Sequence, residues 1–286
     1  MTKHVRPRSP RPAVCHAAAR VITPRDRRRC TASSLAATAP AASAGRKPTM
    51  VGVVTNRADF ERLIAEGCTT YSAYADYLRD VESLLEGLGR DGVEVRGRAF
   101  SPVDFDDYCT QEGLSPTDGD SHLVYTADPV AEDEWVRWEG EPLAEFLLRL
   151  DRAHERGLVR RRLDGMLAET AEAALTGQFP EPLLRIAYAR GAEALRGFLL
   201  RAGVGSFTAV CSIFEPEMPV FAWADLLLEE GGVMRIDDED LDLLCEVLCV
   251  GHALQLPGVL TLSGTCPGRG EVGWEWTFDG ESFRRS

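Results

Sequence analysis

The sequence predicts an α+β fold, rich in helix, with short strands that pair antiparallel near the C-terminus. Three observations predict it. Long stretches between residues 57 and 202 carry apolar residues at helical spacing. Short strand-like runs occur near residues 51 and 95 and again from residue 206 to the end. Only two connections have the strand–helix–strand order of a doubly wound sheet, which leaves α/β as the alternative class.

Taken in order, residues 51–55 form a short apolar strand, and Asn56 caps a helix that turns Phe60, Leu63 and Ile64 inward. Thr69 or Thr70 opens a long helix over residues 71–88, whose Tyr74, Leu78, Val81, Leu85 and Leu88 fall on one face. The Asp91-Gly92 pair makes a turn into an alternating strand over residues 93–100. Ser101 and Pro102 then start a helix, Ser as the cap and Pro at the first helical position. Residues 113–133 are polar and turn-rich, with a helical turn or a strand at 121–127, and 135–138 is a short extended piece. Helices follow from Pro142 to about Ala202: Leu143, Phe146, Leu147 and Leu150 form one stripe, and Leu184, Tyr188, Leu195, Phe198 and Leu199 another. Further on come a β-rich run at 206–214, a helix at 221–230, a break at Gly231-Gly232 and a short strand at 233–236. Asp237 or Asp238 caps an apolar helix to about Leu254. Residues 259–262 and 274–278 pair as a hairpin.

Charge separates the chain into two parts. Residues 1–49 hold eleven Lys or Arg and one acid, Asp26, leaving 21 basic and 44 acidic residues in the body. The first segment has no apolar period and reads as a disordered basic arm, an organelle transit peptide, or an over-extended gene start with Met50 as the true beginning. Residues 50–286 read as one globular body, with two lobes at 50–140 and 141–286 as the alternative. A body this acidic repels nucleic-acid phosphates and membrane surfaces, and it favours a basic protein partner. No apolar run approaches the roughly 18 residues of a membrane span, and no apolar core of a signal peptide is present. The cysteines sit mostly in apolar patterns, so a reduced, cytoplasmic setting is expected. The sequence sets no oligomeric state.

The body contains no lysine, which excludes Walker A, kinase-type, Schiff-base and pyridoxal-phosphate chemistry. G-x-S-x-G and H-E-x-x-H are absent, and the imidazoles of the body are His122, His154 and His252. Gly268-Arg269-Gly270-Glu271-Val272-Gly273 has the letters of a dinucleotide motif, but it leads into a strand and reads as a hairpin loop. Cys245, Cys249 and His252 share a helical face, and Cys266 could complete four zinc ligands; packing of small thiols on a buried helix is the competing reading. Asp104, Asp106 and Asp107, and the run Asp237-Asp238-Glu239-Asp240, suit a divalent cation or simply helix N-termini. His154 lies on the stripe of Leu143, Leu147 and Leu150 as a core-edge residue. Trp135, Arg137 and Trp138 could stack a ligand or pack locally. Arg152, Arg156, Arg160, Arg161 and Arg162 form the one basic run, read as a solvated helix end paired with nearby acids.

These residues assign no catalytic, cofactor or metal site. The expected function is a non-catalytic protein-binding or regulatory module without a cofactor. The alternative is a hydrolase or transferase that uses carboxylates and a divalent metal.

Overall fold

The computed structural model describes residues 19–21, 48–175, 178–215, 218–280 and 282–285. It has an α+β fold whose antiparallel sheet lies near the C-terminus. The chain divides into two compact units, Met1–His154 and Glu155–Ser286. The division falls inside a helix and not at residue 140. The helical stripe continues past 150 without a break, placing Phe146 and Leu150 in the first core and Leu163 and Met166 in the second.

The first unit holds β1 (Ala19–Val21), β2 (Thr49–Val53), α1 (Arg57–Ala65), α2 (Tyr74–Arg90) and β3 (Val95–Ala99). It continues with α3 (Pro102–Glu112), α4 (Gly119–Thr126), a 3-10 turn (Pro129–Glu134), β4 (Val136–Arg137) and the start of α5 (Leu143–Ala173). The sheet order is β1-β2-β3-β4, with the first three strands parallel and β4 antiparallel. Strand β1 comes from within the basic segment, where no strand is predicted; the other residues before Pro48 lie outside the described residues, so the alternatives for that segment do too.

Local chemistry sets these boundaries. The Asn56 side chain accepts a hydrogen bond from the Asp59 amide at 2.9 Å, and the Ser101 hydroxyl accepts one from the Asp104 amide at 3.3 Å. Helix α2 starts later than predicted, at Tyr74, because the Thr69 hydroxyl accepts from the Tyr71 amide in a local turn instead of capping. Tyr77, Val81 and Leu85 are its buried face. Ile64 of α1, predicted inward, is exposed. Gly97 lets α5 approach the sheet: a Cβ there would stand 2.6 Å from the Phe146 ring.

The second unit holds the rest of α5, α6 (Glu181–Ala202), β5 (Gly205–Ile213), β6 (Val220–Leu228), a 3-10 turn at Glu230–Gly232, β7 (Met234–Ile236), α7 (Asp238–Leu254), β8 (Gly258–Cys266), β9 (Gly270–Phe278) and β10 (Phe283–Arg285). Its sheet runs β10-β9-β8-β5-β6-β7, antiparallel throughout. Helices α6 and α7 meet where Gly191 faces Leu248; a Cβ on Gly191 would fall 2.8 Å from the Leu248 Cβ. Leu195, Leu199, Leu244 and Leu248 share one core with the inward residues of β5, β6 and β8.

One predicted element changes class. Residues 221–230 read as a helix from their Ala, Leu and Glu content, yet Val220–Leu228 is a strand. It pairs with β5 along its whole length and buries every second residue: Val220, Ala222, Ala224, Leu226 and Leu228. Pairing on both edges, with β5 and β7, outweighs a helix propensity of tenths of a kcal/mol per residue.

Candidate functional site

In the first unit, Arg98 projects from β3 into the interior. Its guanidinium donates from Nε to the Glu134 carboxylate at 3.1 Å and from Nη1 to the Tyr125 carbonyl at 2.6 Å. The guanidinium carbon also lies 4.3 Å from the centre of the Tyr125 ring. Arg98 and Glu134 are both buried, so each charge depends on the other. His154 adjoins the pair, its Nδ1 at 3.5 Å from Glu134 and its Nε2 at 3.8 Å from Asp104. The predicted core-edge histidine therefore lies between two carboxylates, and one of them belongs to the predicted acidic cluster of α3. The remainder of that cluster diverges: Asp106 pairs with Arg62 at 3.0 Å, and Asp107 is exposed.

A groove of about 1080 Å³ opens elsewhere on the same unit, between the C-terminal half of α2 and the loop after β4. Five carboxylates line it (Glu82, Glu86, Glu94, Glu139 and Glu141) against two guanidiniums, Arg90 and Arg137. Glu94 pairs with Arg96 and Glu141 with Arg149. Glu82, Glu86 and Glu139 have no ion pair among the described residues. Glu82 and Glu86 are one helical turn apart, a like-charge spacing that costs α2 a few tenths of a kcal/mol. Trp138 forms a wall: its indole N–H donates to the Glu141 carbonyl at 3.2 Å, and its ring lies over Gly89, where a Cβ would stand 2.7 Å away. Of the predicted stacking group, Trp138 and Arg137 line the groove and Trp135 does not.

In the second unit, the four residues weighed as zinc ligands have separate environments. Cys249 Sγ donates to the Leu184 carbonyl at 3.4 Å and Cys266 Sγ to the Ala202 carbonyl at 3.9 Å, while the His252 ring packs edge-on to Phe278 at 4.5 Å. Burial pushes the Cys249 thiol up to about 11 and raises that of Cys245, which disfavours the thiolates that zinc requires. Among the described residues no three His, Cys, Asp or Glu side chains stand where they could share a metal ion.

The acidic run before α7 acts as a cap. Asp237 accepts from the amides of Glu239 and Asp240, at 3.0 and 3.3 Å. Arg156 reaches the same helix start, pairing with Asp240 at 3.1 Å and with Glu239. Arg160 pairs with Glu246 at 3.0 Å, and Arg162 with Glu215. These three arginines are partly buried and answer acids far away in sequence; Arg162 also keeps a local partner, Glu169 at 3.7 Å, so the picture of a solvated end with local partners holds only in part. Residues 267–269 form the β8–β9 hairpin turn, so the glycine motif leads into a strand and not a helix.

The second unit also has a cleft of about 610 Å³ between α6, α7 and the β6–β7 hairpin, with five leucines among its lining residues. Neither the cleft, the groove nor the Arg98–Glu134 pair is identified by sequence reasoning. A weak signal for the groove exists in Glu82 and Glu86, like charges one turn apart on α2, with Arg90 a further turn on.

Residues 23–141 match the model of a domain of unknown function (DUF8829). The matched stretch falls within the first unit and includes Arg98, Glu134 and nearly all of the groove. No curated protein and no solved structure matches the chain. No helix among the described residues is long and apolar enough to cross a membrane.

Proposed function

We propose that this chain is a non-catalytic binding protein whose first unit takes an arginine- or lysine-bearing segment of a partner protein in the groove beside Trp138. The observation that carries this reading is the set Glu82, Glu86 and Glu139, three carboxylates without ion pairs lining one groove. Fixed like charges repel one another, and a guanidinium or ammonium group from outside relieves that repulsion. The Trp138 ring offers such a cation a face to stack on. The test is calorimetric titration of the full chain with an eight-residue arginine-rich peptide and with its glutamate-rich counterpart. Binding of the basic peptide alone, weakened severalfold between roughly 0.02 and 0.15 M salt, supports the reading. Equal binding of both peptides, or none of the basic peptide at low salt, contradicts it.

The alternative, a carboxylate enzyme with a divalent metal, has in its favour the approach of Asp104 to His154, and against it the lack of any three-residue metal cluster among the described residues. It requires stoichiometric Mn²⁺ or Mg²⁺ in native mass spectrometry that is lost in Asp104→Asn; a metal-free mass after incubation with either ion eliminates it.

A further inference from the structure

We infer that the cleft of the second unit binds a small amphipathic carboxylate, its apolar body on the leucines of α6, α7 and β6 and its head on Arg196. Leu195 and Leu199 of α6 and Leu228 of β6 are buried core residues that also line the cleft, and partly buried Leu241 of α7 completes its floor. At the mouth, Leu200 is 67% exposed and Met234 37% exposed, so the apolar surface continues out to solvent instead of closing over. The volume of about 610 Å³ lies well within the range of pockets that enclose small molecules, which are mostly apolar with a few placed polar groups.

The charges at the cleft point to the sign of the head group. Of its two carboxylates, Glu229 is paired with Arg235 at 2.7 Å, and Asp242 accepts a hydrogen bond from the Tyr188 hydroxyl at 3.3 Å. Burial keeps that hydroxyl protonated, pushing it up to about 12, so it remains a donor to Asp242. The Arg196 guanidinium has no ion pair among the described residues. An apolar cleft whose acids are already engaged and whose guanidinium is open suits an anionic head on a hydrocarbon body. This site is separate from the groove of the first unit and does not depend on that reading.

The test uses the full chain, titrated calorimetrically with dodecanoate below its micellar range, with 1-dodecanol and dodecylamine as controls. Saturable one-to-one binding of dodecanoate is expected. Arg196→Gln, an exposed substitution that leaves the core untouched, should weaken it roughly three- to tenfold and leave dodecanol unchanged. Ala192→Trp, which fills the cleft, should abolish binding of both. Absence of saturable dodecanoate binding, undiminished affinity in Arg196→Gln, or tighter binding of dodecylamine overturns the assignment.

Discussion

Among the described residues, six polar or charged ones are buried: Arg98, Ser121, His122, Thr126 and Glu134 in the first unit, and Asp240 in the second. The first unit has an ion pair inside its core, with two histidines close to aromatic rings or carboxylates. The second has a wholly apolar core under an antiparallel sheet and keeps its ion pairs around the start and outer face of α7. Each unit is specified differently as a result. An Arg–Glu pair in a low-dielectric interior tolerates one geometry, whereas a leucine core is specified by shape and volume.

Breaking the pair has the largest expected effect. Arg98→Met removes the guanidinium partner of the buried Glu134 and should destabilise the first unit by about 3–5 kcal/mol, whereas Arg98→Met with Glu134→Leu should recover most of that loss. Urea unfolding of both variants checks this; a double variant as unstable as the single one would show that the pair is more than a matched set of charges. In the second unit the comparable substitution is apolar. Leu244→Ala, at a site with no exposure, should cost about 2–5 kcal/mol through loss of burial and the cavity it leaves. Arg156→Ala should have a smaller effect, about 1–3 kcal/mol, through loss of the ion pair to the buried Asp240 carboxylate.

The smallest effect is a pH dependence that belongs to the second unit. Burial lowers the His252 imidazole below its ordinary value near 6.5. A histidine held neutral by the fold contributes stability that is complete above that value and is lost as pH falls below it. Thermal unfolding between pH 7.5 and 5.5 should therefore show a falling midpoint, and His252→Phe should flatten the slope; an unchanged slope would place the acid sensitivity elsewhere.

Much of this fold is legible in the sequence. Asn56 and Ser101 announce their helices through the oxygen they offer to an orphan amide, and the stripe of α2 shows its buried face. Strand β6 is misread because Phe221, Trp223 and Leu227 point outward, so alternation is masked by apolar residues on both faces. The candidate sites are far less visible. Arg98 and Glu134 are 36 residues apart and meet only because β3 and the 3-10 turn are folded together. Arg156, Arg160 and Arg162 look like a solvated run because most of their acids, among them 215, 239, 240 and 246, come from later in the chain. The groove is similar: Glu82 and Glu86 are adjacent on α2, but Glu139 and Trp138 reach them through β4.

On the proposed function, the acidic groove of the first unit, and not the overall negative charge, recognises a basic partner. The most direct test compares two variants with the same number of charges removed: Glu82→Gln with Glu86→Gln in the groove, and Glu271→Gln with Glu275→Gln on the exposed face of β9. Titrated with the arginine-rich peptide at fixed ionic strength, the groove variant should lose about tenfold in affinity and the β9 variant less than twofold. Equal losses in the two would show that the peptide responds to net charge alone, and would contradict the claim.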